Sequence, residues 1–243
     1  MKAIMLAAGR GRRLMPLTAK MPKCLVKIGG QPILYYSLRA LQRANIKKVI
    51  IVTGYRSKQI VRYALSNFPE ISFNFLVNKR YLKTNDIYSL YLARKFFKED
   101  LIVMDSDVFF HPEIPSQLVK KFEGKNAICL RKTKCGKEEM KVSLKSSGDV
   151  LRMSKTLSPK ETAGEFMGIS LFSQKFLKKL DRALAYEIGK GNVSLDREVA
   201  IEKVIQGGED LCYLDVTYYP TIEIDFPSDL KQAEKIIQKI SSF

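Results

Sequence analysis

The chain has 243 residues, 46% of them hydrophobic, which is enough apolar material for a full core. Its apolar segments are evenly spread, so one domain with an appended lobe is expected. Lys and Arg total 42 against 25 acidic residues, a formal charge of +17, and no acidic residue precedes Glu70, so the N-terminal region carries a positive field that draws polyanions. No apolar run reaches the length of a membrane span and no charged-then-apolar leader opens the chain, so a cytoplasmic protein with no membrane partner is expected. Cys24, Cys129, Cys135 and Cys212 are scattered without a C-x-x-C pair, a pattern that fits neither a zinc site nor a disulfide framework.

Residues 2–6 read as a buried strand, after which Gly9 and Gly11 let the backbone turn so that successive N–H groups face an anion. Arg10, Arg12 and Arg13 add charge beside those amides. Pro16 blocks helix continuation, and Pro22 presents Lys23 at the edge of the same loop, within reach of a second phosphate. On the glycines alone, a purely structural strand and turn is the commoner meaning; the clustered cations and the Pro-Lys pair favour triphosphate binding.

Further along, residues 33–44 carry apolar residues at helical spacing, and 48–53 form an apolar strand ending at Gly54. Residues 57–67 read as a helix with Ser57 near its N-cap, 71–77 as a strand, 85–97 as a helix and 101–104 as a short strand. This alternation predicts an α/β fold with a mostly parallel sheet, right-handed crossovers and ligands at the carboxyl ends of the strands, where both the glycine loop and Asp107 fall.

The run Asp105-Ser106-Asp107 either caps a helix or holds a cation. A second acidic pair, Glu223 and Asp225, lies in the strand-like run 221–226, where alternation puts both on one face. A triphosphate-bound magnesium ion takes only one or two protein carboxylates, so Asp107 and Asp225 would suffice, with Glu223 beside them. The lone His111 precedes Pro112 and reads as a turn residue rather than a base. Residues 228–240 predict a C-terminal helix with Leu230, Ala233, Ile236, Ile237 and Ile240 on one face, packed on the chain's own sheet.

The run Leu6-Ala7-Ala8-Gly9-Arg10-Gly11-Arg12-Arg13-Leu14, followed by Pro22-Lys23-Cys24-Leu25, resembles the LAAGxGTRL…PKPL signature of the sugar-phosphate nucleotidyltransferase superfamily. Arg12 stands where Thr or Ser is usual, and Ser106 where Gly is usual. The resemblance implies the nucleotidyltransferase fold, a Rossmann-like, mostly parallel mixed sheet flanked by helices with a small acceptor-binding lobe. It implies a nucleotide part over about 1–130, an acceptor part over about 131–220 and a metal strand and helix over 221–243. By the same resemblance Leu6, Ala8, Gly9, Arg10, Gly11 and Arg12 contact the nucleotide, Arg13 and Lys23 are catalytic, and Asp107, Asp225 and Glu223 hold Mg2+.

The run Asn78-Lys79-Arg80-Tyr81-Leu82-Lys83-Thr84-Asn85-Asp86-Ile87-Tyr88-Ser89-Leu90 is similar to the N-x-x-Y-x-x-T-N-N-I-Y-S-L pattern of bacterial phosphocholine and aminoalkylphosphonate cytidylyltransferases, with Asp86 in place of the second Asn. That similarity implies CTP, with Thr84, Asn85 and Ser89 as polar edges for cytosine; Thr84 or Asn85 would also serve as a helix cap. The run 164–170, GEFMGIS, resembles the acceptor segment of the same enzymes. Glu165, Phe166, Asp196, Tyr218 and Tyr219 would then surround an ammonium group, and Lys155 would meet the acceptor's phosphorus oxygens, although core packing or simple exposure accounts for each of them equally well.

The implied reaction is CMP transfer from CTP to a small phosphate or phosphonate, with release of pyrophosphate and no protein nucleophile. Candidate acceptors are 2-aminoethylphosphonate, phosphocholine, phosphoethanolamine and an inositol phosphate. A nucleic-acid partner is not expected, because no RRM-like aromatic signature, zinc finger or heptad-bearing basic region occurs. The competing expectations are a hexose-1-phosphate nucleotidyltransferase using UTP or dTTP, and a catalytically silent nucleotide-binding relative.

Overall fold

The computed structural model describes residues 1–238 and 240; residues 239 and 241–243, at the end of the expected C-terminal helix, lie outside the described residues. In chain order the elements are β1 (Lys2–Ala7), β2 (Lys27–Ile28), β3 (Gln31–Pro32), α1 (Ile33–Arg43), β4 (Lys48–Thr53), α2 (Ser57–Asn67), β5 (Ser72–Val77), α3 (Asp86–Ala93), β6 (Leu101–Asp105) and β7 (Val108–Phe110). They continue with α4 (Ile114–Lys121), β8 (Ala127–Arg131), β9 (Lys141–Leu144), β10 (Val150–Ser154), β11 (Gly164–Phe172), α5 (Gln174–Gly189), α6 (Glu198–Gln206), β12 (Cys212–Asp215), β13 (Thr221–Glu223) and α7 (Pro227–Ile237).

Unbroken apolar runs make β1, β4 and β6 the buried centre of a mixed sheet, since strands covered by helices on both faces need no polar side. β6, β1, β4 and β5 run parallel; β11 then pairs antiparallel with β6, and β8 and β9 both pair with β11. Alternation along the strands feeds two cores. Met5, Val49 and Ile51 join Leu34, Leu38 and Phe68 on one face, whereas Ile4, Leu6, Ile50 and Val52 join Ile87, Leu90 and Leu180 on the other. The sheet is therefore parallel where the N-terminal half builds it and antiparallel where β8, β9, β10 and β11 extend it.

Several local expectations shift. The N-cap of α2 is Arg56, next to Ser57 and in the left-handed region at φ 49°, and the Ser57 hydroxyl is engaged with the Thr53 hydroxyl at 2.7 Å. α3 stops at Ala93 and continues only as a 3-10 turn, Arg94–Phe96, while Asn85 caps its start by accepting the Asp86 N–H at 2.9 Å. The strand expected over 221–226 ends at Glu223: β13 pairs antiparallel with β7, Glu223 opposite Val108, and the Ile224 N–H then donates to the Asp107 carbonyl at 3.0 Å. That small sheet carries the C-terminal carboxylates to the end of β6. α7 packs not on the central sheet but on a third core, where Ala233, Leu230 and Ile237 meet Leu14, Ile28, Phe109 and Ile222.

One glycine is dictated by this arrangement. Gly168, at φ 67°, sits in the irregular stretch of β11 between Phe166 and Ser170, and a Cβ there would lie 2.5 Å from Asp105 Oδ2. Gly168→Ala is expected to cost about 1–3 kcal/mol through backbone strain and displacement of Asp105; a urea midpoint equal to that of the parent would contradict this packing.

Candidate active site

A cavity of about 520 Å³ opens at the carboxyl ends of β1 and β6. Leu6, Ala8, Gly9 and Arg13 line it from the first loop; Thr84, Asn85 and Ser89 from the start of α3; Asp107, Glu223 and Asp225 from β6 onward and the C-terminal segment; and Lys155, Glu165 and Asp196 from the second half of the chain. Lys23, Arg10, Gly11, Arg12 and Tyr218 are not among its lining residues.

The carboxylates of Asp107, Glu223 and Asp225 each place an oxygen within 4.8 Å of the other two. Lys23 Nζ donates to Asp107 Oδ2 at 2.7 Å and to Asp225 Oδ1 at 2.6 Å, and Arg13 donates to Asp225 Oδ2 at 3.0 Å and to Glu138 Oε2 at 2.6 Å. Burial opposes the Lys23 charge, yet Asp107 and Asp225 together hold its ammonium above the usual lysine range. Burial likewise opposes the Asp225 charge, but Lys23 and then Arg13 keep that carboxyl below its ordinary value. Glu223 makes no ion pair among the described residues: desolvation, then Asp107 and Asp225, outweigh the attraction of Lys23 and push its carboxyl up to about 8. Negative charge thus exceeds the local cations, and every donor is a hard oxygen, so the residues present fit a divalent cation such as Mg2+.

The first loop is folded around Lys23. Gly11 lies at φ 63°, and a Cβ there would come within 2.9 Å of Lys23 Cβ, while Thr18 Oγ1 donates to the Gly11 carbonyl at 2.7 Å. Gly9 differs: no atom lies within 4 Å of a Cβ built on it, so it leaves open space on the cavity wall rather than serving a turn of its own. Arg10 and Arg12 are exposed, and the Arg10 guanidinium lies over the Tyr55 ring at 5.6 Å.

At the start of α3, buried Asn78 donates to Thr84 Oγ1 at 3.0 Å and to Ser89 Oγ at 3.1 Å, fixing both hydroxyls. Asn85 donates to Asp196 Oδ1 at 2.7 Å, and Lys155 Nζ lies 2.9 Å from Asp196 Oδ2. Glu165 accepts from Arg131 at 2.6 Å. Tyr218 is 95% exposed in the turn after β12, and Tyr219 packs its ring 5.3 Å from His111.

Arg197 joins the two halves. Its guanidinium donates to both Asp105 oxygens at 2.7 and 2.8 Å and to Asp86 Oδ2 at 2.5 Å, and its backbone N–H donates to Asp86 Oδ1 at 2.9 Å. Burial pushes the Asp105 carboxyl up to about 6 and that of Glu198, whose oxygen lies 3.3 Å from Arg197 Nε, up to about 8. Sequence reasoning missed Arg197, Arg131 and Glu138, and noted Asn78 only as a matched position of a pattern and Asp86 only as a departure from it. Asp86 was the available signal, because an acid in place of an amide calls for a cation nearby. Arg197→Met strands these carboxylates and is expected to destabilise the fold by about 3–5 kcal/mol in urea denaturation. Adding Asp86→Asn and Asp105→Asn should recover much of that loss; a single variant as stable as the parent would refute the hub.

Residues 2–141 match the nucleotidyl transferase family. The chain is 29% identical over 259 residues to the CTP:phosphoglutamine cytidylyltransferase of Campylobacter jejuni, covering 97% of this chain and 100% of that protein. It is 25% identical over 255 residues to the CMP-5′-(3-aminopropyl)phosphonate synthase of Streptomyces rubellomurinus, covering 96% of this chain and 38% of that protein. Among solved structures, the CTP:phosphocholine cytidylyltransferase of Streptococcus pneumoniae superposes with a TM-score of 0.81 at 23% identity, over 97% of this chain and 98% of that one, a likeness of fold. The family match spans more than half of the residues and includes the loop that holds Arg13 and Lys23, and the chain belongs to the nucleotidyl transferase family.

Proposed function

We propose that this nucleotidyltransferase is a Mg2+-dependent cytidylyltransferase, moving CMP from CTP to a small phosphate or phosphonate with a nitrogen-bearing head and releasing pyrophosphate. One observation carries the reading: Arg13 and Lys23 of the signature loop meet Asp107 and Asp225 at one end of a cavity whose other wall holds Lys155, Glu165 and Asp196. The names of the similar proteins, phosphoglutamine and aminopropylphosphonate enzymes among them, support CTP and this class of acceptor.

An acceptor oxygen that is anionic at neutral pH attacks the α-phosphorus of CTP, and the bond to the bridging oxygen of pyrophosphate breaks. No proton has to be removed, so the site needs no base, and His111 is not among the cavity-lining residues. Arg13 and Lys23 are held by carboxylates; on binding nucleotide they would exchange those partners for phosphate oxygens and neutralise the charge that builds at the α-phosphorus. A divalent cation held by Asp107 and Asp225, with Glu223 alongside, would supply further neutralisation there. The lining residues include eleven acidic side chains and four basic ones, the reverse of the whole chain's balance of +17. The basic exterior attracts the nucleotide, and the acidic interior favours its entry together with a cation.

Pyrophosphate release should appear with CTP and a nitrogen-bearing acceptor such as phosphoethanolamine, and vanish when EDTA removes the metal. Release only with UTP or dTTP and glucose 1-phosphate would identify a hexose-1-phosphate nucleotidyltransferase instead, and nucleotide binding without release would identify a silent relative. Asp107→Ala should abolish turnover while changing the unfolding free energy measured in urea by no more than about 1 kcal/mol. Arg13→Ala should lower kcat about 10²–10³-fold, and a kcat unchanged in either variant would remove that residue from the chemistry.

A further inference from the structure

A cavity that receives a quaternary ammonium needs an open aromatic face, because the trimethylated group donates no hydrogen bond and is attracted by ring quadrupoles. The described residues lining this cavity include three aromatic rings: Tyr81, Phe166 and Phe226. Tyr81 stands near Tyr55, ring centroids 6.2 Å apart, beside the nucleotide loop, and Phe226 lies under the Arg13 guanidinium at 5.4 Å, at the carboxylate end. Only Phe166 belongs to the acceptor half. It is 4% exposed, and the Arg197 guanidinium covers it at 5.5 Å. Arg197 is not a loose cover, being 2% exposed and bonded to Asp105 and Asp86. The two tyrosines expected to complete a cage are elsewhere, Tyr218 in solvent and Tyr219 against His111.

The acceptor half offers hydrogen-bonding ion pairs instead. Lys155 pairs with Asp196 at 2.9 Å and Arg131 with Glu165 at 2.6 Å. Each of these carboxylates has lone pairs beyond those its present partners use, and so can accept from a further N–H. We propose that Arg197 is a specificity-determining residue: it occupies the aromatic face that, among the described residues, the acceptor half contributes to the cavity lining, so that the site takes acceptors whose far end carries N–H donors, a primary ammonium or an amide, and discriminates against trimethylammonium. This rests on the cytidylyltransferase reading above.

The test is a methylation series at constant charge: phosphoethanolamine, its N-methyl and N,N-dimethyl derivatives, and phosphocholine, each with CTP and Mg2+. The expected kcat/KM falls along the series, by about tenfold or more overall, the loss of about 1.4 kcal/mol of recognition. Phosphocholine equal to or better than phosphoethanolamine would overturn the assignment while leaving the cytidylyltransferase reading intact. Turnover of none of the four, beside turnover of a sugar 1-phosphate, would overturn that reading and the assignment together. The variant Arg197→Leu/Asp86→Asn/Asp105→Asn uncovers Phe166 and leaves Glu198 as the carboxylate of the cluster that loses its cation. Its phosphocholine-to-phosphoethanolamine ratio of kcat/KM, which does not depend on how much enzyme is folded, should rise at least about threefold; an unchanged ratio would remove Arg197 as the determinant.

Discussion

The Lys23 ammonium sits between Asp107 and Asp225, 84 and 202 residues away in the chain, and most of the site depends on that contact. Without it three carboxylates would face one another in a partly buried space, an arrangement that like-charge repulsion does not tolerate. The loop supplies the ammonium because Gly11 lets the backbone close onto Lys23, and the β7–β13 pairing supplies the carboxylates because it seats Glu223 beside Val108. In the proposed reaction the cations of this contact, Lys23 and Arg13, would pass to phosphate oxygens as a metal takes their place on the carboxylates, an exchange that needs no large rearrangement.

A second charge centre does a different task. Arg197 ties the end of β6 to the start of α3 and lies at the start of α6, so one buried ion cluster joins the elements next to Asp107, Asn85 and Asp196. Buried ion pairs contribute little net stability, but breaking one is costly, and such a cluster fixes geometry more than it adds free energy. Gly168 belongs to the same design, since only a residue without Cβ leaves Asp105 its place.

Much of the fold was legible because local signals and tertiary needs agreed. The strand over Lys48–Thr53 and the helix beginning at Ile33 are where apolar periodicity puts them, and the alternation of β1 and β4 divides the core into its two faces. β13 is shorter than the pattern over 221–226 suggests, because alternation continues through Asp225 while the backbone already turns toward α7. At the site, Lys23, Asp107 and Asp225 stand out as charged residues in turn-rich contexts, and the structure brings them together. Arg197 was invisible for the opposite reason: its partners are 92 and 111 residues away, and a charged residue before a helix has no periodicity to betray it. Tyr218 shows the converse, an aromatic residue whose chemistry suited a cage but whose turn leaves it in solvent.

The Lys23-bridged carboxylates are proposed as the cation and triphosphate site, and a crystal structure with CTP and Mn2+, the metal located by its anomalous scattering, tests this most directly. Manganese should be bound to Asp107 and Asp225, with Lys23 withdrawn from at least one of them onto a phosphate oxygen. Manganese elsewhere, or Lys23 still bonded to both carboxylates with nucleotide in place, would contradict it.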